Sequence, residues 1–332
     1  MFIFAIRKQQ ESIMIQLSVV VPIFNEIESI PPLAEKLHQT LSRIGRTYEV
    51  VLVDDGSTDG SWEKLIEQSQ RYPHFKLIRF RRNFGQTAAM SAGFRESVGE
   101  IVVTLDADLQ NDPEDIPLLL ERMTDSVDVV SGWRKDRKDT FINRRLPSIL
   151  ANGLISHITG VHLHDYGCTL KAYRREVIKN VHLYGEMHRF IPALANWVGG
   201  QVAEVPVQHH ARQFGKTKYG IARTVRVVLD LMTVKFLLRY STGPIQIFGK
   251  IGLFFLVPGL LMILGMIIAN LALESMLIKR PFWIMTAFML IFSGIQFISM
   301  GLLAEIQIRT YHESQDKPIY VIRDRIKSPE PT

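Results

Sequence analysis

The stretch Ile101 to Asp112, IVVTLDADLQND, ends an apolar run at two carboxylates spaced i and i+2. Its β-branched and apolar residues, Ile101 to Leu105, predict a buried strand, too short for a helix. Ligands of open α/β sheets gather at the carboxyl ends of strands, so Asp106 and Asp108 stand where a substrate would be. Alternation along an extended chain aims both side chains the same way. Two hard carboxylates facing one cleft suit Mg²⁺ or Mn²⁺ held jointly with the phosphates of a nucleotide. They equally suit a turn capped by Asp, with Asn111, Asp112 and Pro113 opening the next helix. The neighbouring motifs must decide.

A second pair, Asp54 and Asp55, closes YEVVLVDD just before Gly56, Ser57 and Thr58. A carboxylate there can accept from uracil N3–H or ribose hydroxyls, or it can shape an Asx turn with Ser57. The run RFRRNFGQTAAMSAG carries Arg82, Asn83, Gly85 and Gln86 to a helix start, where free backbone amides suit a phosphate. Gln110 follows the Asp106/Asp108 pair within reach of a sugar. Basic residues that can hold phosphates come from Arg144 and Arg145, from Lys171, Arg174 and Arg175 on an edge strand and turn, and from Arg212, Lys216 and Lys218 in RQFGKTKYG. The histidines show no metal-ligand spacing, with His188 and Arg189 as pocket neighbours.

The elements that position these residues alternate. LSVVVPIF, YEVVLVDD, FKLIRF, EIVVTLDAD and DVVSGW are strand-like. Between them SIPPLAEKLHQTLSRI, SWEKLIEQSQRY and QTAAMSAGFRESV have helical period. This predicts an α/β fold, an open and mainly parallel sheet with helices on both faces. No GxGxxG follows the first strand, which argues against a dinucleotide fold. That strand ends instead in Pro22, Asn25 and Glu26.

The chain has 332 residues, a formal charge of +6 and one cysteine, Cys168, so no disulfide framework holds it. Its basic residues concentrate beside apolar segments, which favours a bilayer or an anionic substrate over nucleic acid. Ile251 to Leu273 and Phe282 to Ala304 carry no charge and would each run ~35 Å as helix, enough to cross a bilayer. Their short junction forces an antiparallel hairpin. Lys235, Arg239 and Lys250 before it, and Arg309, Lys317, Arg323, Arg325 and Lys327 after it, outweigh Lys279 and Arg280 between, which puts both flanks in the cytoplasm. YGIARTVRVVLDLMTVKFLLRYS reads as a basic amphipathic helix lying on that membrane. The expected divisions are an N-terminal tail (1–16, with Met14 an alternative start), a catalytic domain (17–218), the juxtamembrane helix (219–243), two transmembrane helices (244–308) and a cytosolic C-terminal tail (309–332). Within that tail KPIYVIRDRI alternates like a strand, fit to pair with the sheet or with a neighbouring protomer of a homo-oligomer.

The ordered set VVVPIFNE, VLVDDGSTDGS, RNFGQTAAMSAG and LDADLQ resembles the family 2 glycosyltransferases of the Rossmann-like GT-A fold. DYGCTLKAYRR and RQFGKTKYG, followed by two spans, resemble the branch that loads a sugar onto polyprenyl phosphate, akin to dolichol phosphate mannose synthases and bactoprenol glucosyltransferases. The resemblance covers about residues 15 to 310 and implies that Pro22, Asn25, Glu26 and Asp55 line a nucleoside pocket, with Asp54 a partner or a turn former. It further implies that Asp106 and Asp108 hold the metal, that Asp165 is the acceptor-side acid, and that the Arg212–Lys218 loop closes over a phosphate.

The expected reaction is inverting transfer of a hexosyl unit, from UDP-glucose foremost, to undecaprenyl or a related polyprenyl phosphate at the cytoplasmic face of the inner membrane. A phosphate monoester with a second pKa near ~6 is already dianionic at neutral pH, so Asp165 is expected to orient the reacting groups rather than remove a proton. The alternatives are a processive polysaccharide synthase, for which no QxxRW motif is present, and an inactive nucleotide-sugar-binding scaffold.

Overall fold

Runs of valine and isoleucine become strands buried on both faces. The computed structural model describes residues 15–135, 152–153, 155–156, 159–181, 183, 187–211, 245–273, 281–314 and 319–326. The chain divides into two units, Met1–Val234 with Pro318–Thr332, and Lys235–Lys317.

The first unit is built on β1 (Leu17–Ile23), β2 (Tyr48–Asp54), β3 (Phe75–Phe80), β4 (Ile101–Thr104), β5 (Val129–Trp133), β6 (Lys171–Arg174), β7 (Val202–Pro206) and β8 (Ile322–Ile326). Their order across the sheet is β7-β5-β6-β4-β1-β2-β3-β8. β6 is antiparallel to β4 and β5, and β8 is antiparallel to β3. The remaining pairings are parallel. The chain starts in β1, moves outward through β2 and β3, then returns to β4 on the other side of β1. The strand order thus reverses between β1 and β4, and a crevice opens there beyond the strand ends.

α1 (Ile30–Ile44) takes prolines in its first turn and ends at Gly45, whose φ of 70° suits glycine. Leu33, Leu37 and Leu41, spaced by four, face inward and join α2 (Ser61–Arg71) and α4 (Ile116–Arg122) in one core with Val19, Val21 and Val103. α3 (Gln86–Glu96) lies on the opposite face, where Ala88, Ala89 and Ala92 are buried and Gly93 presses on Val20. Small residues permit that close approach. The short α5 (Ile191–Trp197) buries Ile191, Ala193 and Ala195.

Two expectations change and an open choice is resolved. β6 is no edge strand: it lies between β4 and β5 with Ala172 and Tyr173 fully buried, because the chain returns antiparallel into that gap. β4 stops at Thr104, so the following carboxylates sit in a turn and not on an extended strand. The alternating segment near the C-terminus joins the sheet of its own chain through β8, and Tyr320 stacks on Phe80 with ring centroids 4.9 Å apart.

The second unit holds α6 (Ile245–Leu273) and α7 (Pro281–Ser314), of 29 and 34 residues. Phe248–Ala269 and Pro281–Ala304 within them are long and apolar enough to cross a membrane. Gly252 meets Gly294 and Ile298, while Gly259 meets Ala287 and Ile291, so the helices run antiparallel with backbones in close approach. Outward-facing Phe254, Leu271 and Phe282 are at least 70% exposed, a surface suited to lipid and not to water. The amphipathic stretch 219–243, Arg144 and Arg145 lie outside the described residues.

Candidate functional site

At the reversal point, the ends of β1 and β4 and the start of α3 enclose a cavity of about 210 Å³. Of the residues expected there, Pro22, Glu26, Asp55, Gly85, Gln86, Asp106 and Asp108 line it. They come from the carboxyl ends of the four parallel strands β1 to β4 and the segments that directly follow them.

Asp55, one residue beyond β2, is almost fully buried. Its Oδ1 accepts from Phe84 N–H at 2.6 Å, and its Oδ2 accepts from Gly85 N–H and Asn83 Nδ2, both at 2.9 Å. A carboxylate offers about four acceptor sites, so one remains on Oδ1 for a ligand. Burial, with the nearby Asp54 charge adding, pushes Asp55 up to about 6 against the pull of those donors. The clasp needs close backbone contact. Gly56, at φ 72°, lies so near that a Cβ would stand 2.5 Å from the Arg82 carbonyl carbon.

Two members of the expected nucleoside set do not reach the cavity. Asp54 points into the protein, accepts from Ser57 N–H at 3.0 Å and lies 3.4 Å from Arg79 Nε, so it is a turn former. Asn25, at φ 54°, accepts from Thr58 N–H at its Oδ1 and donates its own N–H to Ser57 Oγ, both at 2.9 Å. It fastens the β1 loop to the β2 loop. Glu26 does line the cavity, and its carboxylate accepts from Ser29 Oγ at 3.0 Å.

Asp106 accepts from Gln86 Nε2 at 2.7 Å. Burial, then the neighbouring Asp108 charge, pushes it up to about 6, while Thr169, Arg134 and Lys171 pull it down. Asp108 accepts from Gln110 N–H at 3.2 Å. A buried carboxylate whose proton affinity is raised by a second carboxylate in the same cavity is a fit for a divalent cation. Among the described residues no group of three or more His, Cys, Asp or Glu gathers as a ligand set, so the cation's other ligands would be diphosphate oxygens and water, as hard-cation sites allow. Leu109, directly after Asp108, stands at φ 59°, a left-handed conformation costly for leucine.

Gln110 is outside the cavity lining, and its backbone holds Asp108 and His210. Lys171 is corrected outright: it is 2% exposed and its ammonium donates to the carbonyls of Cys168 and Tyr166. Burial draws it below the usual lysine range, and it reaches no surface where a sugar or phosphate can bind. Asp165 is buried and held by a residue that sequence reasoning missed. Arg134 Nε donates to Oδ2 at 2.7 Å and Nη2 to Oδ1 at 3.1 Å. Gly167 N–H donates to Oδ1 at 3.1 Å, so Asp165 also caps its own turn. Burial works against the Arg134 charge, but Asp165 beside it prevails and holds the guanidinium protonated. Arg134 directly follows β5, so the strand-end rule that singled out Asp106 would have found it. His188 is buried with its Nδ1 2.9 Å from Thr87 Oγ1, a brace for the first turn of α3. Arg212, Lys216 and Lys218 lie outside the described residues.

The family model described as "Glycosyl transferase family 2" matches residues 18–181. Dodecaprenyl-phosphate galacturonate synthase of Rhizobium johnstonii is 43% identical over 320 residues, covering 93% of this chain and 92% of the relative. The chain belongs to glycosyl transferase family 2. Undecaprenyl-phosphate 4-deoxy-4-formamido-L-arabinose transferase of Edwardsiella ictaluri is similar to this glycosyltransferase at 38% identity, over 95% of each chain. Among solved structures, glucosyl-3-phosphoglycerate synthase of Mycobacterium tuberculosis with Mn²⁺ and UDP-glucose matches with a TM-score of 0.51 at 17% identity, over 69% of this chain and 81% of that one. Mannosyl-3-phosphoglycerate synthase of Rubrobacter xylanophilus matches with 0.55 at 15% identity, over 67% and 74%. The family 2 glycosyltransferase therefore shares their fold.

Proposed function

We propose that this glycosyltransferase moves one sugar, with inversion, from a UDP-sugar to a polyprenyl phosphate at the cytoplasmic face of the membrane that its hairpin spans. The observation that carries the reading is the placement of Asp55 and of Asp106 with Asp108 in one cavity at the strand-order reversal. One end of it suits a nucleoside and the other a metal-bound diphosphate. The two relatives aligned nearly end to end support the acceptor class, since their names specify dodecaprenyl and undecaprenyl phosphate. They also bear on the sugar. One is named for galacturonate and the other for a formamido-arabinose, which moves galacturonate ahead of glucose as the donor to test.

Each residue has a task in this scheme. The free acceptor site on Asp55 takes a uracil or ribose donor, and the Pro22 and Ala107 walls flank the nucleotide. Asp106 and Asp108 would hold Mg²⁺ or Mn²⁺, which supplies positive charge for the leaving diphosphate. Gln86 keeps Asp106 oriented. A lipid phosphate oxygen attacks the anomeric carbon, the carbon–oxygen bond to the β-phosphate breaks, and UDP departs with the electron pair. The attacking phosphate is already deprotonated at neutral pH. Asp165 consequently serves by holding Arg134 beside the site, and Arg212, Lys216 and Lys218 are proposed to gather phosphates.

The test is transfer of radiolabel from UDP-galacturonate, UDP-glucose and other UDP- and GDP-sugars to undecaprenyl phosphate by the full chain in detergent, with Mg²⁺, Mn²⁺ or EDTA. A chloroform-soluble product bearing one sugar, abolished by EDTA, is expected. Labelled polymer would overturn the reading in favour of a synthase, and tight nucleotide binding without transfer would overturn it in favour of a scaffold.

A further inference from the structure

We infer that His210 and Asp112 are positioning residues for the metal-holding turn, and that the linkage between divalent-cation and diphosphate binding depends on the contact they make. The inference rests on the reading of the site given above. It begins at the sheet edge. After β7 the chain continues across the strand ends toward the Asp106–Asp108 turn, tied at successive residues. Val207 N–H donates to Trp133 O at 2.9 Å, and Gln208 N–H to Asp115 Oδ2 at 2.6 Å. His209 forms an antiparallel bridge with Asn111. His210 N–H donates to Gln110 O at 2.9 Å, and its ring Nε2–H donates to Asp112 Oδ2 at 2.8 Å.

The far side of that contact is the turn itself. The Gln110 peptide is held from both ends: its N–H binds Asp108 Oδ1 and its carbonyl receives His210. Asp112 caps the following turn through Glu114 N–H at 3.1 Å and lies 3.5 Å from Lys36 Nζ. Burial opposes its charge, but these partners and His210 hold its carboxyl below the ordinary range. Between Asp108 and the anchored Gln110 sits Leu109 at φ 59°. A leucine persists in that conformation only when its surroundings over-determine it. The His210 contacts supply two of the restraints that do so, and the Asn111 Nδ2 bond to Thr169 Oγ1 at 2.8 Å supplies another. Losing the ring contact to Asp112 loosens the strand-end segment that carries the second one, lets the turn relax and moves Asp108 away from Asp106.

The His210 ring is 40% exposed, so its removal opens no core cavity and the variant should fold. The experiment is calorimetric titration of UDP into the full chain in detergent, without metal and with saturating Mn²⁺. Wild-type protein is expected to bind UDP more tightly with Mn²⁺. In His210→Ala that tightening should fall at least tenfold, while metal-free UDP affinity stays within twofold and the thermal midpoint within 4 °C. His210→Gln, which still offers a donor to Asp112, should recover most of the effect. Asp112→Asn combined with His210→Ala should cost less than the sum of the two, because they share one contact. Metal-linked tightening in His210→Ala within threefold of wild type would overturn the inference alone. Wild-type protein whose UDP affinity ignores Mn²⁺ would overturn the reading of the site, and this inference with it.

Discussion

Replacing Asp165 with asparagine separates an orienting role from a proton-accepting one. The Asp165 and Arg134 side chains are only 4% and 15% exposed, and two hydrogen bonds of 2.7 and 3.1 Å join them. Asparagine keeps one acceptor oxygen but turns an NH₂ group toward a guanidinium N–H, and it leaves the Arg134 charge uncompensated. Removing one partner of a buried pair costs about 3–5 kcal/mol. At roughly 2–4 °C per kcal/mol for a domain of this size, the thermal midpoint should drop by ~6–20 °C. Arg134→Gln should fall into the same range, and the double variant should lose less than the sum of the two because no lone charge stays buried. The effect on chemistry is indirect. The Arg134 charge that lowers the proton affinity of Asp106 opposes a cation there as well, so Arg134→Gln should lower the Mn²⁺ concentration needed for half-maximal transfer. The assays are differential scanning calorimetry and label transfer on the same preparations. A thermal midpoint within 2 °C of wild type for Asp165→Asn, with turnover reduced ~10²–10⁴-fold whether or not Arg134 is present, would refute the ion-pair reasoning and make Asp165 a general base.

Asp108→Asn should raise the half-saturating Mn²⁺ concentration at least tenfold and depress label transfer, and unchanged turnover would refute its assignment as a metal ligand. Gly56→Ala forces a left-handed alanine at φ 72° with its Cβ 2.8 Å from Asn83 N, so the Asn83–Gly85 turn must shift. Uridine binding by calorimetry should then weaken more than tenfold. The pH dependence of Asp55 has two opposite signs. Its carboxyl in the folded protein titrates near 6, above the 3.8 of an ordinary aspartate, so the folded state takes up its proton first. Its contribution to stability is therefore greatest below ~4 and declines by about 3 kcal/mol as pH rises through 6. Its grip on the Asn83–Gly85 donors strengthens over that same interval. Uridine affinity in EDTA should rise from pH 5 to 7 and level above, and Asp55→Asn should flatten that profile.

Periodicity along the chain was enough to locate β1 to β5, the three helices that connect β1 to β4 and the two apolar spans. A parallel strand covered on both faces must be apolar throughout, and a bilayer span must lack charge over its whole length. The placement of Asp55, Asp106 and Asp108 at one cleft followed from the same local logic, since the residue after a buried strand emerges at the sheet's carboxyl edge. What folded together from afar was not legible. Arg134 meets Asp165 across 31 positions, and His210 meets Asp112 across 98. Lys171 reads as a surface base, yet the insertion of β6 between β4 and β5 buries it. Asn25 and Leu109 adopt left-handed conformations that no glycine announced, because contacts from distant segments hold them there. Sequence pattern reports which face of an element avoids water. Which neighbour satisfies a buried charge or hydrogen bond is decided only when the sheet order brings distant loops to the same strand ends.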